Sequence, residues 1–100
     1  MILVRDVFKL KFGKAREALA VWKEMDTHAA KAGFDPSTIR TLTDLVGPYY
    51  TLVMETTAPS LAAWEEMGQR IMKSEDWRKW YQQFTPFVES GYRGVFNIVE

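Results

Sequence analysis

The chain contains no cysteine. That excludes disulfide frameworks, thiolate metal sites and a cysteine nucleophile together, and it suits a reducing compartment, so a cytoplasmic location is expected. There is one histidine, His28, too few for an imidazole-rich transition-metal centre, and no spacing of carboxylates points to Mg²⁺. No metal and no cofactor is expected. Neither sign of charge is in excess: 13 Lys and Arg are balanced by 13 Asp and Glu. The two signs are interspersed, which leaves no basic stripe for a polyanion and argues against a nucleic-acid partner. Long apolar runs are also missing. In the opening MILVRDVFKLKF, Arg5, Asp6, Lys9 and Lys11 interrupt the apolar residues, so neither a signal peptide nor a membrane span is expected. The 6 glycines are scattered, and no serine lies in a nucleophile-elbow context, so the motifs for cradling phosphates or for serine hydrolysis are lacking.

What is present is apolar and aromatic. With 47% hydrophobic and 14% aromatic residues among 100, the chain can form one core, and a single domain over residues 1–100 is expected. Residues 2–11 are rich in β-branched groups and alternate Ile2, Val4, Asp6, Phe8, Leu10 against Leu3, Arg5, Val7, Lys9, Lys11, the period of a strand. After Gly13, the residues Ala15, Ala18, Leu19, Trp22, Met25 and Ala29 recur at spacings of three and four, one face of a helix that Gly33 stops. Residues 37–46 and 49–57 read as a hairpin around Gly47-Pro48. A second helical stripe follows Ser60 through Leu61, Trp64, Met67 or Gly68, and Ile71. Ser74 caps a further run, in which Trp77, Trp80, Tyr81, Phe84, Phe87 and Val88 share a side and Pro86 predicts a kink near residues 82–86. Ser90-Gly91 is expected to end it, with YRGVFNIVE as the last strand. Inside that strand Gly94 predicts a bulge or a close backbone contact.

The order strand, helix, strand, strand, helix, strand gives an α+β, ferredoxin-like βαββαβ fold, with both helices on one face of a four-stranded antiparallel sheet. The second face of such a sheet should be polar if it meets water, yet Leu3 and Val7 oppose Val4 and Phe8, and Tyr50, Leu52 and Met54 oppose Tyr49 and Val53. A self-complementary partner of standard size covers about 800 Å² of each subunit. At roughly 25 cal/mol/Å² over the apolar part that is on the order of 10–20 kcal/mol gross, comparable to a domain's own stability. A sheet-to-sheet homodimer is therefore expected.

The opening LVRDVFKLKFGKAREALAVWKE, a strand followed by a Gly-Lys turn and a Trp-bearing helix, and the closing FVESGYRGVFNIVE resemble the dimeric α+β barrel superfamily. Within it the chain is similar to the NIPSNAP-like and antibiotic-biosynthesis-monooxygenase-like branch. The resemblance runs over nearly the whole chain and implies a sheet-to-sheet dimer forming an α+β barrel, with a cleft in each subunit between helices and sheet. Some members use that cleft for cofactor-independent oxidation. The haem-degrading branch places an Asn in the first strand and a Trp and a His on the helices of the second half; here the sole Asn is Asn97 and the sole His is His28, so haem chemistry is not expected.

Candidate site residues carry two readings each. A turn of about 100° per residue places Asp26 only about 40° from Trp22 on the apolar face of the first helix, with Lys23, Glu24 and Lys31 on the far side. A carboxylate there either accepts a hydrogen bond from a Tyr hydroxyl or pairs with Arg5, Arg40 or Arg93, or else it serves as a general base or ligand group. His28 falls on the edge of the charged face, as a surface group or a base. Arg5, Asp6, Arg40, Asp44, Glu55 and Arg93 put charge into predicted strands, either as ion pairs that fix dimer register or as an anion-binding site. Trp22, Tyr50, Trp64, Trp77, Tyr81 and Phe84 are core residues or the lining of a pocket for a flat apolar ligand.

Two functions follow. One is a dimer that binds a small apolar or aromatic molecule between helices and sheet, with a cofactor-independent monooxygenase among its activities and Asp26 or a Tyr hydroxyl handling a proton. The other is a non-catalytic structural or interaction protein whose cleft is filled by Trp22, Trp64, Trp77 and Phe84. An unfilled cleft above about 300 Å³ with convergent polar groups favours the first.

Overall fold

Period-two alternation in the first strand sorts its side chains between two very different surroundings. In the computed structural model, which describes residues 1–100, Ile2, Val4, Asp6 and Leu10 are buried while Arg5 and Lys9 are exposed. The elements are β1 (Ile2–Leu10), α1 (Ala15–Trp22), α2 (Met25–Lys31), a 3-10 turn (Pro36–Thr38), β2 (Ile39–Thr43), β3 (Thr51–Ala58), α3 (Leu61–Met72), α4 (Glu75–Phe84), a second 3-10 turn (Thr85–Phe87) and β4 (Val88–Asn97). The sheet has 4 strands in the order β2-β3-β1-β4, every pair antiparallel. This is the ferredoxin-like α+β arrangement that the order of elements predicts.

Register fixes what each face carries. Asp6 stands between Met54 and Arg93 on the face toward the helices, and its neighbour Arg5 stands between Glu55 and Gly94 on the other, because adjacent residues of a strand point oppositely. The helices pin the inner face at two places. Leu10, Ala18, Trp22, Met25, Leu52, Trp80 and Phe84 form one buried cluster beneath α1, α2 and α4. Ile2, Val4 and Ala58 form a smaller one, packed against Trp64 and Met67 of α3. The two clusters are not continuous.

Three boundaries differ from the sequence pattern. The first helix is broken at Lys23-Glu24, because the Trp80 indole N–H donates to the Val21 carbonyl at 2.7 Å and the Glu24 N–H donates to the same oxygen at 3.2 Å. That carbonyl would otherwise accept from Met25 in an unbroken helix. The hairpin connection is wider than Gly47-Pro48 and runs over residues 44–50, closed by the Asp44 carboxylate accepting from the Thr51 N–H at 2.9 Å. The last strand begins at Val88, so Ser90 and Gly91 lie inside it. Gly91 pairs with Phe8, and a Cβ there would come within 2.9 Å of the Val7 carbonyl: the glycine permits close approach of strands and does not end the helix. Pro86 does that, in the 3-10 turn after Phe84. Ser74 caps α4 as predicted, accepting from the Trp77 N–H at 3.2 Å.

Candidate functional site

Between the two buried clusters the helices stand away from the sheet and leave a cleft of about 910 Å³. Asp6, Met54, Thr56 and Arg93 form its floor, Trp22, Trp77, Trp80 and Tyr81 one wall, and Trp64, Gly68 and Ile71 of α3 the other. The cleft follows from how α3 is attached: Trp64 and Met67 pack on the small cluster, whereas Gly68 carries no side chain to fill the space beyond them. Exposed Glu65, Gln69, Lys73 and Arg78 rim the opening.

The polar part of the floor is built by cross-strand register. Asp6 is only 5% exposed, and a carboxylate so far from water needs a charged partner. Its β4 neighbour supplies one: Arg93 Nε donates to Asp6 Oδ1 at 2.5 Å. The Arg93 guanidinium also lies over the Trp64 ring, 4.7 Å from its centroid, a cation–π contact that ties β4 to α3. The pair contains a buried acid and an arginine that still reaches into the cleft, its side chain 53% exposed.

Of the residues singled out from the sequence, Trp22, Trp64, Trp77 and Tyr81 line this cleft. Phe84 does not; it is fully buried, stacked 5.8 Å from Trp80 and tilted against Trp22 at 4.9 Å. Tyr50 is also elsewhere, at the end of the hairpin connection with φ 60 and edge-on to Phe12 at 5.0 Å. Asp26 is exposed and lies outside the cleft lining. It follows the break at Lys23-Glu24, so an azimuth extrapolated from Trp22 does not carry through. His28 is half-buried, as its place on the edge of the charged face predicts, with its ring 6.4 Å from Trp80. Asp6 and Arg93, grouped in the sequence with the other strand charges, are the polar members of the site. The signal for them was an acid on the otherwise apolar Ile2, Val4, Phe8, Leu10 face. No group of three or more His, Cys, Asp or Glu is placed to hold a metal ion.

The opposite face of the sheet carries a second ionic row. Glu55, 4% exposed, sits between Arg40 of β2 and Arg5 of β1. Both arginines donate to it, Arg5 Nε at 2.8 Å and Arg40 through Nε and a terminal nitrogen. Arg5 in turn lies over the Phe96 ring at 5.4 Å. Gly94 completes the row because a Cβ there would meet that ring at 2.9 Å. Gly94 therefore makes room for a side chain, not for the bulge or close backbone contact expected there, and the strand irregularity falls at Lys9/Leu10.

The Arg40 and Arg5 hydrogen bonds hold the Glu55 carboxyl below the usual glutamate range. A depressed folded-state pKa stabilises the fold above the unfolded value, about 4.3, and that contribution is lost as pH falls through the folded value. Wild type is thus expected to exceed Glu55→Gln by about 1.5–3 kcal/mol at neutral pH, with the gap closing below about pH 4 in urea titrations. A gap unchanged down to pH 2 would contradict this role for Glu55.

No family model matches the sequence, and no curated protein matches it either. Solved structures do resemble the fold. A NIPSNAP family protein from Agrobacterium tumefaciens superposes with a TM-score of 0.87 at 16% identity, over 99% of this chain and 93% of that one. An uncharacterised NIPSNAP domain protein from Burkholderia xenovorans gives 0.82 at 14% identity, over 99% and 95%. An antibiotic biosynthesis monooxygenase gives 0.73 at 14% identity, over the whole of both chains, 100% each. These are the two groups that the opening and closing segments resemble, and at such identities the likeness is one of fold. No helix is long and apolar enough to cross a membrane.

Proposed function

We propose that the chain acts as one domain over residues 1–100, pairs with a second copy through the outer face of its sheet, and binds a small apolar or aromatic molecule in the cleft of each subunit. The observation that carries the binding reading is an unfilled space of about 910 Å³ walled by Trp64, Trp77 and Tyr81 with a buried ion pair at its floor. Ligand sites have that construction, apolar walls with a few convergent polar groups, and volumes of roughly 300–1,000 Å³. The alternative of a filled core loses support: Trp22, Trp80 and Phe84 do fill a core, but Trp64 and Trp77 border open space.

Pairing is supported by what the outer face presents. Leu3, Val7, Leu42, Val53, Tyr92 and Phe96 lie on it by register, and Leu42, Tyr92 and Phe96 are exposed in the single chain. The likeness to an antibiotic biosynthesis monooxygenase favours cofactor-independent oxidation as the reaction class. Tyr81 is then the hydroxyl proposed for proton handling, since it lines the cleft and Asp26 does not. A cytoplasmic location belongs to the same proposal, on the cysteine-free composition. Native mass spectrometry of the purified protein tests both parts. A dimer carrying one extra small mass per subunit is expected; a single chain at micromolar concentration would refute the pairing, and failure of every apolar or aromatic probe to bind would refute the cleft.

A further inference from the structure

Arg93 has more donors than the protein uses. Its Nε is taken by Asp6 and its flat face by Trp64, while its two terminal nitrogens make no hydrogen bond within the protein. A guanidinium has five N–H groups in a fixed plane, so the free edge is held rigidly by its own partners. In the open cleft that edge is accessible to water. A wholly apolar molecule filling the space would displace the water and leave charged donors unmatched, which is costly in a site of low polarity.

Given the reading of the cleft as a small-molecule site, we propose that its ligand is an aromatic or similarly flat carboxylate, its ring between the walls of Trp64 and Trp77 and its carboxylate on the terminal nitrogens of Arg93. Planar two-oxygen acceptors match the terminal edge of a guanidinium with two parallel, charge-assisted hydrogen bonds. The remaining charge of the site agrees. Asp6 is neutralised by Arg93, and on the rim Lys73 and Arg78 outnumber Glu65, none of the three being in an ion pair. A cationic ligand would find its one buried carboxylate already occupied.

Three probes of nearly equal size separate ring binding from anion binding: 2-naphthoate, 2-naphthamide and 2-naphthylmethylammonium, titrated calorimetrically at neutral pH. Naphthoate is expected to bind at least about tenfold more tightly than the amide, with the ammonium weakest. In Arg93→Gln the advantage of naphthoate over the amide should fall to within about twofold. Because that variant strands a buried Asp6, the Asp6→Asn/Arg93→Gln double variant, which removes the pair together, is measured beside it with circular dichroism to establish folding. Equal binding of naphthoate and amide to wild type, tightest binding of the ammonium, or a preference that survives in the folded double variant would each overturn the carboxylate assignment while leaving the cleft as a binding site. If no probe binds, the assignment falls with the cleft itself.

Discussion

Replacing Trp80 by alanine is expected to lower the free energy of unfolding by about 3–5 kcal/mol, a large part of the ~5–15 kcal/mol that a domain possesses. Trp80 is 2% exposed and joins three parts of the molecule. Its ring is nearly parallel to that of Phe84, at 3°, and lies 5.5 Å from Trp22 and 5.0 Å from Trp77. Its indole N–H satisfies the Val21 carbonyl at the break between α1 and α2. Alanine removes the packing and leaves that carbonyl without its indole donor. Trp80→Phe keeps most of the apolar area and loses the donor, so a smaller loss of about 1–3 kcal/mol is expected. Urea unfolding followed by circular dichroism reads both. A loss below about 1 kcal/mol for Trp80→Ala would show that this cluster is not what holds the helices to the sheet.

An aspartate at position 53 should have the second large effect, on assembly instead of folding. Val53 lies near the middle of the outer face, between Leu42 and Val7. Glu55 on the same face already engages both Arg5 and Arg40, so neither of these arginines is free to neutralise a new acid. An unpaired charge buried in an interface costs about 3–5 kcal/mol, and two-fold symmetry applies it twice. On the proposed pairing, Val53→Asp is expected to sediment as a folded monomer at concentrations where wild type is expected to form the dimer. Lys79→Glu on the exposed side of α4 should leave the dimer intact, with loss only of the surface pair with Glu75. Should Val53→Asp remain fully dimeric, the outer face is not where the copies meet.

The same two positions show what could be read without the structure. Val53 was legible as part of a second apolar face because strand alternation has a strict period of two, and that pattern is local. Trp80 was legible as one of a helical stripe for the same reason. The stripe did not say which rings would close the core and which would border a cavity. Phe84 and Trp77 share the spacing, yet one is fully buried and the other lines the cleft, because Phe84 packs between Phe8 of β1 and Trp22 of α1, contacts that helical spacing does not encode.

Asp26 marks the limit of local reasoning most clearly. Its expected place assumed one continuous helix, and a hydrogen bond from Trp80, 59 residues from Val21 in the chain, breaks that helix before the residue is reached. Asp6 and Arg93 are a comparable case: 87 residues apart, they meet only because β1 and β4 are paired in one register.

By itself the sequence determined the order of elements and the two-sided apolar sheet, since both follow from side-chain type and periodicities of a few residues. Tertiary structure alone decided the cleft, the Asp6–Arg93 pair at its floor and the loss of Asp26 from the site. Those depend on contacts between segments distant in the chain, whose distances no local period encodes.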